Sequence, residues 1–287
     1  MTAPSAAARS PAGTRASDPP PLGALLRTWR QRRGMSQLDL ACEAEISTRH
    51  LSFVETGRSV PSRPMLMRIA ERLEVPLRER NALLVAAGYA PVYRERRLDD
   101  PALAAARRAV DLVLTGHEPY PALAIDRHWT LVAANRAMPA LLEGIAPELM
   151  APPVNVLRLS LHPAGAAPRI ENLRQWRDHI LHRLAHQIDV SADPALRALH
   201  DELAAYPVPV STAPPGRRGE DIGADVVVPL RLRTAAGVLN LFSTTTVFGT
   251  AVDITLSELA IEAFFPADVG TADLLRRMMA KGEGPSE

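Results

Sequence analysis

The sequence predicts two domains of different class, an all-α domain of five helices over residues 22–97 and an α+β domain over residues 98–277. Three observations lead there. Stretches with apolar residues at helical spacing crowd into the first part, each bounded by a capping residue, a Gly or a Pro. Runs rich in β-branched residues, over 225–233 and 238–248, occur only in the second part, beside a long amphipathic stretch over 170–188. Charge divides at the same place: residues 22–97 hold 14 Arg against 8 acidic residues, a balance of +6, while 98–287 hold 17 basic against 23 acidic residues, a balance of −6.

Residues 1–21, rich in Ala, Ser and Pro, read as a disordered leader, and 278–287 as a flexible tail. Leu22 to Arg33 forms the first helix, with Leu22, Leu25, Leu26 and Trp29 on one face and Gly34 as its stop. Ser36 caps the second, with Asp39 three residues on in a capping-box spacing and Leu38, Leu40, Ala41 and Ala44 at helical intervals. Ser47 caps the third, which buries Leu51 and Val54, with Ile46 closing the corner and Gly57 ending the helix. Ser62 opens a fourth helix carrying Met65, Leu66, Ile69, Ala70 and Leu73. The fifth, Leu77 to Ala87, carries Leu83, Leu84 and Val85 and stops at Gly88.

The second and third helices have the outline of a helix-turn-helix, and what the third leaves facing outward decides its use. Thr48, Arg49, Ser52 and Phe53 project from its first turns, beside the capping Ser47, and these side-chain types can reach base edges. Gln37 opens the second helix, where its amide can meet a phosphate or a base, and Arg58 supplies a cation just past the third. A solvated helical hairpin accounts for the polar faces but not for the local excess of positive charge. The candidate DNA-contacting residues are therefore Gln37, Ser47, Thr48, Arg49, Ser52, Phe53 and Arg58. The stretch 36–58 resembles the lambda-repressor-like helix-turn-helix of the Xre class of bacterial transcription regulators. That resemblance implies a double-stranded DNA operator, and one short reading helix implies a homodimer on two half-sites.

In the second domain, Pro101 to Leu114 reads as a helix. Ala122–Ile125, a turn at Asp126-Arg127-His128 and Thr130–Ala133 read as a hairpin followed by a helix from Asn135. The stripe Leu173, Trp176, Ile180, Leu184 and Ile188 marks the longest helix, and Pro194 to Tyr206 another. The runs PLRERNALLVAAGYAPVYRE (76–95), TGHEPYPALAIDRHWTLVAAN (115–135), HPAGAAPRIENLRQW, FSTTTVFGT (242–250) and TLSELAIEAFFPAD (255–268) resemble Xre regulators that carry an MmyB-like domain. The resemblance spans 22–277 and implies a PAS-like sheet with helices over one face, and a small, largely apolar, fatty-acid-like ligand. Wall candidates are Trp176, Ile180, Leu241 and Phe242; Arg158 and Arg169 are cations for a carboxylate, with His162 and His179 as polar alternatives. The competing reading is a second domain with a solid core, serving as a ligand-free dimerisation or protein-partner module.

Other chemistry is poorly supplied. The one Cys, Cys42, allows neither an intrachain disulfide nor a Cys-cluster metal site, and reads as a packing residue in a reducing cytoplasm. His179, His182 and His186 share a helix, but His179 and His186 lie about 10 Å apart along its axis, too far to share an ion. No GxSxG, HExxH, P-loop or strand-to-helix GxGxxG is present, so neither an enzyme nor a cofactor is expected. No apolar run reaches the roughly 18 residues of a membrane span. A soluble, cytoplasmic protein is expected.

Overall fold

The computed structural model describes residues 20–208, 228–249 and 253–282. Nearly all of the predicted leader, residues 225–227 of the first predicted strand, Thr250 and positions 283–287 of the tail lie outside these. The chain divides into two compact units at the bond between Val92 and Tyr93. Residues 94 and 96 already pair with the second: Arg94 bridges to Asp253, and the Arg96 guanidinium donates to the buried Asp253 carboxylate at 2.9 Å.

The first unit consists of five helices: α1 (Leu22–Arg32), α2 (Gln37–Glu43), α3 (Thr48–Glu55), α4 (Arg63–Arg72) and α5 (Leu77–Ala86). Local sequence sets their ends. Ser36 Oγ accepts from the Asp39 amide and the Asp39 carboxylate accepts from the Ser36 amide, a closed capping box. These two bonds hold the Asp39 carboxyl below the usual range. Ser47 Oγ accepts from the His50 amide. At the other end of α3, Gly57 takes φ +73° and the Arg58 amide reaches back to the Phe53 carbonyl at 2.8 Å, satisfying a terminal acceptor. Ser62, in contrast, stands at the start of α4 without a side-chain cap bond.

Leu26, Leu40, Leu51, Leu66, Ile69, Leu73, Leu83 and Leu84 are fully enclosed and form the core of this unit. Gly23 brings α1 onto the end of α3: a β-carbon there would lie 2.4 Å from the Glu55 carbonyl oxygen. Two apolar residues predicted to pack are instead exposed, Leu38 and Val85. Cys42 is exposed as well, not a packing residue, because the buried stripe of α2 runs through Leu40, Ala41 and Ala44.

The second unit is α+β. Its elements are α6 (Ala104–Gly116), β1 (Ala122–Ile125), β2 (Leu131–Ala134), α7 (Pro139–Leu142), α8 (Val156–Leu161), α9 (Leu173–Ser191), α10 (Pro194–Ala205), β3 (Leu230–Thr234), β4 (Gly237–Val247), α11 (Ile254–Ser257), β5 (Ala260–Pro266) and α12 (Val269–Gly282). The strands form one antiparallel sheet in the order β2-β1-β5-β4-β3, the PAS-like arrangement expected. Strand alternation sorts the faces. Leu123 and Ile125 of β1 and Phe264 of β5 join the main core with α8, α9 and α10. Ala122, Ala124 and Ile261 face Val110 and Leu114 of α6 on the other side, so helices cover both faces and not one.

The stripe on α9 is as read, with Trp176, Ile180, Leu184 and Ile188 buried at intervals of four. The helix expected from Asn135 does not begin there; α7 starts at Pro139 and has four residues. The physical reason is the Asn135 side chain, which is buried and committed to bonding. Its Oδ1 accepts from the Ala122 amide at 3.1 Å, and its Nδ2 donates to the carbonyls of Tyr120 and Leu114 at 2.8 and 3.1 Å. Of the first predicted strand, the described residues 228 and 229 precede β3, which begins at Leu230.

Candidate DNA-reading helix and ligand cavity

The positive charge of the first unit is of two kinds. Arg30 is structural: its Nε and Nη2 donate to the Glu55 carboxylate at 2.7 and 3.0 Å and its Nη1 to the Met35 carbonyl at 2.8 Å. Gln37 joins this group, its Nε2 donating to Glu55 at 2.8 Å, and Arg27 stands 3.6 Å away. Burial pushes the Glu55 carboxyl up, but the bonds from Arg30 and Gln37 and the nearby Arg charges outweigh it and hold the group below its usual range. Arg33 is likewise used internally, on the carbonyls of Leu73 and Glu74.

Arg49 and Arg58 are of the other kind. Both are exposed, and neither has an ion pair among the described residues. Arg49 lies over the ring of Phe53, 5.4 Å from its centroid, which steadies a long side chain on the outer surface of α3. Thr48, Ser52 and Phe53 are partly exposed beside it. Ser47 has its hydroxyl in the cap, and Gln37 is held by Glu55 and is not free to extend from the helix start. Arg49, Thr48, Ser52 and Phe53 thus lie together on α3, with Arg58 three residues past its end.

The second unit holds a partly open cavity of about 100 Å³ between the inner sheet face and α7, α8 and α9. Its wall is apolar almost throughout, with Leu123, Met138, Leu157, Trp176, Ile180 and Phe264 among the larger side chains. The polar exceptions are Ser160, Ser243, Arg183 and Glu262. Trp176 is fixed by its indole, which donates to Ser160 Oγ at 2.9 Å. Arg183 donates to the buried Glu262 carboxylate at 2.8 Å and lies 5.0 Å from the Trp129 ring centroid, so this pair is internally neutral.

Of the residues singled out in the sequence, Trp176 and Ile180 line this cavity and six do not. Leu241 is buried on the same sheet face, but Phe242 must point to the opposite one, where it stacks on Phe265 at 5.3 Å. Arg158 is engaged by Glu202 through two bonds of 2.8 and 2.7 Å. His162 packs edge-on against Tyr206. His179 packs on Trp176, and burial, aided by Arg183, lowers its pKa. Arg169 sits beside the wall without entering it. Sequence reasoning missed Arg183 and Glu262; Glu262 follows Ile261 in a strand whose residues alternate between faces, and a charged residue on the core side was the available signal. Among the described residues no group of three or more His, Cys, Asp or Glu is placed to hold a metal ion, and no helix is long and apolar enough to cross a membrane.

Residues 106–278 match the family described as the MmyB-like transcription regulator ligand binding domain, and residues 21–83 match a helix-turn-helix domain family. Among solved structures, the clp gene regulator ClgR from Corynebacterium glutamicum is 28% identical over 34% of this chain and 90% of its own, with a TM-score of 0.21. An RNA-binding light-oxygen-voltage receptor is 12% identical over 91% of this chain and 64% of its own, with a TM-score of 0.23. No curated protein matches the chain.

Proposed function

The chain belongs to the MmyB-like transcription regulator ligand binding domain family, and on that premise we propose a homodimeric regulator in which α3 reads a near-palindromic operator and the second unit senses a small apolar molecule. That it is a DNA-binding, helix-turn-helix transcription regulator follows from the two families, both of regulator type and neither an enzyme family. The observation that carries the sensing is the apolar cavity lying within the residues that match the ligand-binding family. A ligand filling it changes operator affinity by as much as it prefers one protein state over the other. Fatty-acid-like molecules fit the wall chemistry; a long acyl chain would need the wall to give way, since about 150 Å³ is what a benzene-sized guest occupies in a known apolar cavity. A cytoplasmic site of action accompanies this reading.

Mass spectrometry of the purified protein, first native and then denaturing, tests it. A released small molecule of defined mass, and a native species at twice the 31.1 kDa chain mass, are expected. A bare monomer that no apolar compound stabilises would overturn the sensor reading and favour the ligand-free partner module. Exposed Leu112 and Val113 on α6 are available for a second copy.

The roles on α3 are separable. Arg49→Ala is expected to weaken the cognate operator by about 1–3 kcal/mol and to relax base choice at one position of each half-site. Equal losses on every operator variant in a binding array would contradict base reading. For Arg58→Ala the expectation is a uniform loss over all sequences and a salt-dependence slope shallower by about one phosphate contact per subunit. A loss confined to some sequences would remove the phosphate assignment.

A further inference from the structure

Val110 and Leu114 press α6 onto the outer face of the sheet. On the opposite side of the helix Leu112 is 74% exposed, and Val113 next to it 45%. Helical spacing sets Ala105, Ala109 and Gly116 along the same outward stripe as Leu112, and a β-carbon at Gly116 would meet nothing within 4 Å among the described residues. An exposed leucine alone asks for no explanation. The charges beside it do.

Arg108 and Asp111 flank the stripe on one side, and both are exposed. Opposite in sign and three apart, they have the spacing at which Asp273 and Arg276 of α12 bond at 2.7 Å. They stand in the reverse order, which is the weaker one within a helix, and neither has an ion pair among the described residues. The neighbouring Arg107 is used internally, its Nη1 donating to the Leu98 carbonyl at 2.7 Å. The outward face of α6 is therefore apolar along its middle, with one positive and one negative charge on the same flank.

Such a face complements itself. In two copies related by a two-fold axis across antiparallel helices, the same flank of each helix meets, so the Arg108 of each copy faces the partner's Asp111. Leu112 then lies level with the partner's Ala109, and Ala105 with the partner's Gly116, where small side chains let the helices approach. A parallel pair would instead set Arg108 against Arg108 and Asp111 against Asp111, which repel.

We propose that α6 is the seam of the homodimer, packed antiparallel on α6 of a second copy, with Leu112 at its centre and two ion pairs between Arg108 and Asp111 beside it. The assignment rests on the homodimer reading above and adds to it the surface, the orientation and the residues. A second copy is the occupant because it brings both counter-charges at the required spacing.

Sedimentation equilibrium of the full chain over a concentration series tests this. The native chain is expected to form a dimer in exchange with monomer. Leu112→Glu, Asp111→Arg and Arg108→Glu should each raise the dimer dissociation constant at least about tenfold, the first by placing a charge in the middle of the seam and the others by setting like charges together. The double variant Arg108→Glu with Asp111→Arg restores both pairs with their signs exchanged, and should return to within about threefold of the native value. All three side chains are exposed, so the circular dichroism of the variants should remain native. Dimers that none of the single changes weakens, or a double variant as weak as the singles, would overturn the seam while leaving the homodimer standing. A native chain that is monomeric throughout the series would overturn both. Should one charge variant not fold, the other compared with the double variant still decides.

Discussion

Glu55→Ala is expected to unfold the helix-turn-helix unit more readily than any surface change, with a loss of about 3–5 kcal/mol, the cost of removing one member of a buried ion pair. The Glu55 side chain is wholly enclosed and accepts from both Arg30 and Gln37, so its removal strands a guanidinium that is itself only 11% exposed. Gln37 would be released as well, loosening the start of α2 against α3. Amide hydrogen exchange is the suitable measurement, because it assigns the loss to α1, α2 and α3 while the second unit serves as an internal reference. Unaltered protection in those helices would show that the pair contributes nothing. Acid should act in the same direction. The Glu55 pKa is depressed on folding, so its contribution is complete above the ordinary value of 4.5 and is lost as pH falls through the lower folded value.

The second large effect is expected at Asn135→Ala. This one amide ties the end of α6, the approach to β1 and the first residue of β1 together, through Leu114, Tyr120 and Ala122. Its loss leaves a buried amide and two carbonyls short of partners, at about 1–3 kcal/mol for a donor or acceptor left unsatisfied, and a total of about 3–5 kcal/mol is expected. The urea midpoint of the second unit should fall accordingly, with the slope unchanged. Asn135→Asp discriminates packing from bonding: it keeps the shape and the acceptor but replaces the donor with an oxygen that faces two carbonyl oxygens, and should be at least as damaging. A fully stable Asp variant would mean that the donor half of the network carries no weight.

These two residues show what a sequence displays and what it withholds. Ser36 with Asp39, and Trp176 with Ile180, Leu184 and Ile188, interact within a turn or two, so their spacing alone announces the helices that contain them. Gln37 is 18 residues from Glu55 and Arg158 is 44 from Glu202. Partners that remote leave no periodic trace, and each residue looked free to bind something external. Asn135 was legible as the exit of a hairpin but not as a lock, because its three partners lie up to 21 residues away. Leu241 and Phe242 were read as one wall although adjacent strand residues face opposite ways. The cavity itself was invisible, since a stripe of apolar residues looks the same whether the opposite layer fills the space or stops short of it.

The sheet described above is a partition one strand thick with no idle side. Every residue of β1 is buried: Leu123 and Ile125 belong to the cavity side, and Ala122 and Ala124 press on α6. Alanine contacts of this kind leave little slack, since a neighbour packed on a methyl group has no side-chain rotamer into which to retreat. A guest that swells one chamber therefore has to be accommodated by the other, and the strain arrives at α6 as displacement of backbone, without any side chain having to relay it.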